Sequence, residues 1–167
     1  TLGSEVDSTA RILETLVLAG VPVTSTAVSD AVAFLAAHQR TGGGWGLNGQ
    51  ADTTNANSTA LAIQSLVAAG INPDGPEWMR TGGGPVSALL RLQEKTGAFA
   101  YAVGTPESRM LATLDALAAL AIPYPGELQP PPHSIAEGVR YGYVAVNTAL
   151  LCRYRPISVF FCRMNHK

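Results

Sequence analysis

The sequence predicts an all-α fold assembled from helical-hairpin repeats, on three observations. Apolar residues recur at helical spacing, as at Leu13, Leu16 and Val17 or Leu61, Leu66 and Val67, and no stretch alternates like a strand over more than a few residues. The segment Asp7-Ser8-Thr9-Ala10, running on to Ala19-Gly20-Val21, returns 50 residues later as Asn57-Ser58-Thr59-Ala60 and Ala69-Gly70-Ile71, with a fainter third copy from Met110 to Ile122. A second kind of unit lies between these copies, and Phe34-Leu35 with Gln39, Gly43 and Trp45 matches Ala88-Leu89 with Gln93, Gly97 and Phe99. Two kinds of helix therefore alternate with a period near fifty residues.

Each element carries its own start and stop signals. The spacing predicts helices over about 6–19, 26–39, 56–69, 85–94 and 106–120. Asp7, Ser25 and Asn57 are short polar residues able to accept a hydrogen bond from the free amides of a first turn. Pro85 and Pro106 suit the first helical position, where no amide hydrogen is needed. Gly20 and Gly70 fall just past the periodic runs, where a left-handed residue ends a helix at low cost. The Ala-rich stretch with Ala112, Ala116, Ala118 and Ala119 permits close helix approach, and repeats that hide their apolar faces only against neighbours form a solenoid or a ring.

Composition bounds the function. With 167 residues the chain has room for about one domain. Only 14% of residues are charged and 47% are apolar, which excludes a charge-rich disordered chain. A net charge of −1 argues against a nucleic-acid partner. No apolar run reaches the ~18 residues of a membrane span. The chain opens on Thr1, which predicts a segment of a longer protein and leaves any leader unread. Cys152 and Cys162 read either as two thiols or as a late disulfide, and no Cys/His cluster has zinc spacing.

The run Phe34-Leu35-Ala36-Ala37-His38-Gln39, followed by Gly43-Gly44-Trp45, resembles the glutamine-tryptophan repeat of the prenyltransferase and squalene oxidase repeat family. Leu89, Gln93, Gly97 and Phe99 repeat the pattern with Phe for Trp, and the Ser58–Gly70 segment is similar to the family's partner helix. That family includes triterpene cyclases, protein prenyltransferase β subunits and many bacterial surface or secreted proteins. Over residues 5–122 the resemblance implies part of an α/α toroid, with inner and outer helices alternating around a cavity. Five helices are about half of a closed ring, so an open arc or fragment is expected. The location it implies is extracytoplasmic or cell-surface.

The family's chemistry has no counterpart here. There is no Asp-x-Asp-Asp acid motif, no Asp-Asp-x-x-Asp cluster for a magnesium-bound diphosphate and no zinc motif, so no catalytic residue, metal or cofactor is expected. Gln39, Gly43, Trp45, Gln93, Gly97 and Phe99 are expected to be structural staples of the repeat. The residues placed where a ligand would be met are Trp45 in its Gly-rich loop, Asp52 and Asn55 in the polar stretch before the third helix, and Phe99 with Tyr101 after the second motif. His38 reads as an ordinary helix residue. Thr41–Gly44 and Thr81–Gly84 read as flexible loops.

Beyond the repeats, residues 123–133 form a Pro-rich connector, and 134–167 offer an extra helix and a basic, aromatic tail, read as a terminal or packing segment rather than a membrane contact. The expected function is a non-catalytic repeat module of a larger bacterial protein, with a small apolar molecule, a glycan or a protein as partner and self-association through its open ends. The alternative is a fragment of a terpene cyclase or prenyltransferase acting on an isoprenoid.

Overall fold

The computed structural model describes residues 5–48, 53–105, 109–122 and 124, all within the first of two compact units, Thr1–Glu127. The predicted extra helix and tail at 134–167, the two cysteines and nearly all of the connector lie outside the described residues.

The described residues are all-α, with no named strand among them. Helix α1 is Val6–Leu18, α2 is Thr26–His38, α3 is Ala56–Ala68, α4 is Pro85–Leu90 and α5 is Arg109–Leu120, with one 3-10 turn at Pro76–Trp78 before α4. Helix ends show which local signals act. Gly20 and Gly70 adopt φ of 83° and 76°. Beside them Val21 N–H reaches Leu16 O and Ile71 N–H reaches Leu66 O, closing both helices in the same Schellman geometry. Ser25 caps α2 by accepting from Val28 N–H, and Pro85 opens α4.

Two expected caps are displaced. The residue before α1 is Glu5, which makes no side-chain cap bond, and Asp7 sits inside the first turn. The cap of α3 is Asn55, accepting from Ser58 N–H at 2.8 Å, while Asn57 is already helical. Helix α4 is shorter than expected. Its end tightens into bonds spanning three residues, Leu92 N–H to Leu89 O and Gln93 N–H to Leu90 O, which draw the chain into the following turn.

Helix α3 is the centre of this unit. It packs against α1, α4 and α5, and α2 packs on α1. Every residue from Ala56 to Leu66 except Asn57 is buried. One core cluster joins Val6, Ala10 and Leu13 of α1 to Leu61, Ala62 and Leu66 of α3, with Leu35 and Trp45 beneath. The other joins Ala56, Ala60 and Ile63 of α3 to Ala112, Ala116 and Ala119 of α5, with Leu89 and Phe99 beneath. Each fully buried Leu or Ile contributes about 1.5–3 kcal/mol, and the Ala faces let the helices approach closely. Two buried hydroxyls of α3 find backbone acceptors: Ser65 Oγ donates to Ala62 O, and Thr59 Oγ1 donates to Trp45 O in the loop after α2.

Candidate functional site

The two motif copies build the same hydrogen-bonded turn. In the first, Gly43 N–H bonds Arg40 O and Arg40 N–H bonds Gly44 O; in the second, Gly97 N–H bonds Glu94 O and Glu94 N–H bonds Ala98 O. Both turns need a positive φ, supplied by Gly43 at 91° and Gly97 at 89°. The motif glutamine spans the turn, with Gln39 Nε2 donating to Gly43 O at 2.8 Å and Gln93 Nε2 donating to Gly97 O at 3.2 Å.

The aromatic then turns inward. Trp45 and Phe99 are both fully buried. Trp45 N–H bonds Thr59 Oγ1 at 3.0 Å, and Phe99 N–H bonds Thr113 Oγ1 at 2.9 Å, so each loop is tied to the next Ala-rich helix. A third tie completes the unit. Leu47 O accepts from Val6 N–H, and Tyr101 O accepts from Ala56 N–H, satisfying the first amides of α1 and α3 that would otherwise lack partners. Sequence reasoning does not single out Thr59 and Thr113, although each stands 14 residues beyond its aromatic.

Of the expected ligand residues, Trp45, Asn55 and Tyr101 meet through backbone at the start of α3, where Asn55 N–H bonds Trp45 O at 2.9 Å and Ala56 N–H bonds Tyr101 O at 2.7 Å. Trp45 donates from Nε1 to Leu35 O at 2.8 Å and lies 6.0 Å from the ring of Trp78. Asn55 is a buried cap whose amide also donates to Ser58 Oγ, Tyr101 is half-buried and contributes its carbonyl to α3, and Asp52 lies outside the described residues. The Gly-rich loops pack on each other: Gly82 N–H bonds Thr41 O, and a Cβ on Gly43 would come within 2.3 Å of Gly83 O. Close backbone approach, rather than the expected flexibility, accounts for these glycines. His38 stacks on Phe34 and its Nδ1 lies 2.7 Å from Phe34 O.

One polar cluster was not anticipated. Asp7 of α1, Asn57 and Ser58 of α3 and Asp115 of α5 meet across three neighbouring helices. Asn57 Nδ2 donates to Asp115 Oδ2 at 2.6 Å, and Gln64 Nε2 donates to Asp115 O. Asp7 Oδ1 and Asn57 Oδ1 are buried without a hydrogen-bond partner. Burial raises the Asp7 carboxyl above its ordinary value; the hydrogen bond from Ser58 opposes this, the charges of Glu5 and Asp115 add to it, and Arg11 opposes it. Burial thus disfavours the ionised form of Asp7 within a cluster whose other members are uncharged amide and hydroxyl groups and the Asp115 carboxylate. Among the described residues no three His, Cys, Asp or Glu side chains come together to hold a metal ion. Set against protein-family models, curated proteins and solved structures, the chain matches none of them.

Proposed function

We propose that this chain is a non-catalytic helical repeat module, part of an α/α toroid-like array in a larger bacterial, surface or secreted protein, that works by binding. One observation carries the reading: the motif side chains are engaged by backbone. Gln39 bonds Gly43 O and Trp78 O, Trp45 bonds Leu35 O, and Phe99 is packed inside, so these three motif residues have no surface with which to meet a substrate, and the exposed Gln93 spends its amide on its own turn. The row α1, α3, α5, with α2 on α1 and α4 on α3, supports the alternation that a toroid requires. Partners on this reading are a small apolar molecule, a glycan or a protein met by exposed helix faces.

A second reading, an isoprenoid-processing fragment, is favoured by Asp7, a carboxyl pushed by burial toward its protonated form. Native mass spectrometry of the protein from its own host, paired with incubation with squalene and with farnesyl diphosphate, separates the two. The binding-module reading expects no product, whether or not the isoprenoid is retained. Turnover that Asp7→Asn abolishes would overturn it in favour of the second.

A further inference from the structure

Two polar atoms are buried without a partner at the place where the first motif is closed over. Gln39 is 4% exposed and Trp78 is 2% exposed. Gln39 Nε2 is fully engaged, donating to Gly43 O and to Trp78 O, each at 2.8 Å. Gln39 Oε1 and Trp78 Nε1, by contrast, have no hydrogen-bond partner and are inaccessible to water. Closure therefore strips one acceptor and one donor of their hydration and gives neither a bond in return.

The segment that makes this closure, residues 72–83, is folded on itself. Asp74 N–H reaches Asn72 Oδ1, Gly75 N–H reaches Asn72 O, and Trp78 N–H reaches Gly75 O. Arg80 and Gly83 exchange backbone bonds in both directions, and the Arg80 guanidinium donates back to Glu77 O and Met79 O. None of these bonds involves a helix, so all of them persist if the segment moves as a body. Pro73, Gly75 and Trp78 alone are buried in it. It meets the first motif through the Gln39 bond to Trp78 O, through Gly82 N–H on Thr41 O and through the Trp78 ring, 6.0 Å from that of Trp45. Trp45 itself is held independently, by Leu35 O of α2 and Thr59 Oγ1 of α3.

We infer that residues 72–83 form a strap that lifts off the first motif while α1, α2 and α3 stay packed, hydrating Gln39 Oε1 and Trp78 Nε1 together. Lifting gives up the burial of Trp78 and the bonds to Gln39 and Thr41, so the closed form predominates. It recovers the hydration of both unpaired atoms and leaves the helical core intact, so the open form lies well below the unfolded chain in free energy. This goes beyond the binding-module reading. Trp45 stays seated in both forms, whereas in the open form Trp78 becomes an aromatic arm and the Gln39 carboxamide gains a surface.

Hydrogen exchange of the two indole N–H groups, followed by NMR on the full chain, tests the strap. Both indoles are buried, so each exchanges only when water reaches it. The Trp78 indole should exchange at least about tenfold faster than that of Trp45, at a rate that low, sub-denaturing urea leaves nearly unchanged, while Trp45 exchange rises steeply with urea. Ile63→Val trims the α3–α5 core away from the strap. It should speed Trp45 exchange roughly two- to tenfold and leave Trp78 exchange as in the parent. Equal rates for the two indoles, or a response to urea and to Ile63→Val that is the same in both, would overturn the proposal, because Trp78 would then meet water only on global unfolding. If Ile63→Val does not fold, the urea series on the parent chain decides the matter alone.

Discussion

The first motif copy is closed over by the segment leading into α4, whereas among the described residues the second has no such cover. Gln39 is buried and donates a second hydrogen bond to Trp78 O, in the segment before α4, whereas Gln93 is exposed and, among the described residues, its side chain bonds across its own turn. Trp45 is covered by Trp78 and adds an indole bond to α2; Phe99, in the same place, has no ring donor to offer. The turn geometry is nevertheless the same in both. The motif thus writes a local turn on its own, while the energy attached to it depends on the neighbouring repeat that closes over it.

The largest expected effect breaks the first copy. Trp45→Ala should cost about 3–5 kcal/mol, since it opens a cavity and leaves Leu35 O unpaired, read as a lowered urea midpoint at unchanged slope. Gln39→Ala should cost about 1–3 kcal/mol by unpairing two buried carbonyls, and Gln93→Ala no more than about 0.5 kcal/mol. Equal costs for the two glutamines would erase the difference between the copies. Gly43→Ala and Gly97→Ala probe that difference at the turn itself. Each forces a positive φ on alanine, at about 1–2 kcal/mol, but only at Gly43 does the new methyl strike backbone, Gly83 O, so its melting temperature should fall more.

The smallest effect concerns the polar cluster. In the fold the ionised Asp7 is disfavoured, so the penalty is absent below the ordinary carboxylate value near 3.8, grows as pH rises through the interval up to the raised value and is full above it. Asp7→Asn should therefore stabilise the protein at neutral pH by less than about 1 kcal/mol, because the side chain is only half-buried, and should gain nothing at low pH. Melting curves at several pH values check this. A variant stabilised equally at every pH would point to packing instead of ionisation.

The positions of α1 and α3 were legible because each carries its own stop, Gly20 or Gly70, and its own apolar spacing. The pairing of Thr59 with Trp45 and Thr113 with Phe99 was not, although the 14-residue interval repeats, because a threonine inside an apolar helix gives no local sign of the amide it meets. Asp7 and Asn57 were misplaced as caps for a related reason. A short polar residue at a helix start is consistent with either the cap or the first turn, and only the backbone path distinguishes them. The expected ligand residues Trp45 and Phe99 were legible as motif members. Their complete burial was not, because aromatic loop residues read the same whether they face outward or inward.

The amino-acid sequence by itself determined what acts over one or two helical turns: helix spacing, glycine stops, the Gln–Gly turn and the repeat period that places equivalent residues in register. Tertiary structure decided which equivalent residues are buried. Val6, Ala56 and Met110 occupy the same register position, yet the first two are enclosed and the third is open, because burial is conferred by the next helix in the row and not by the residue that receives it.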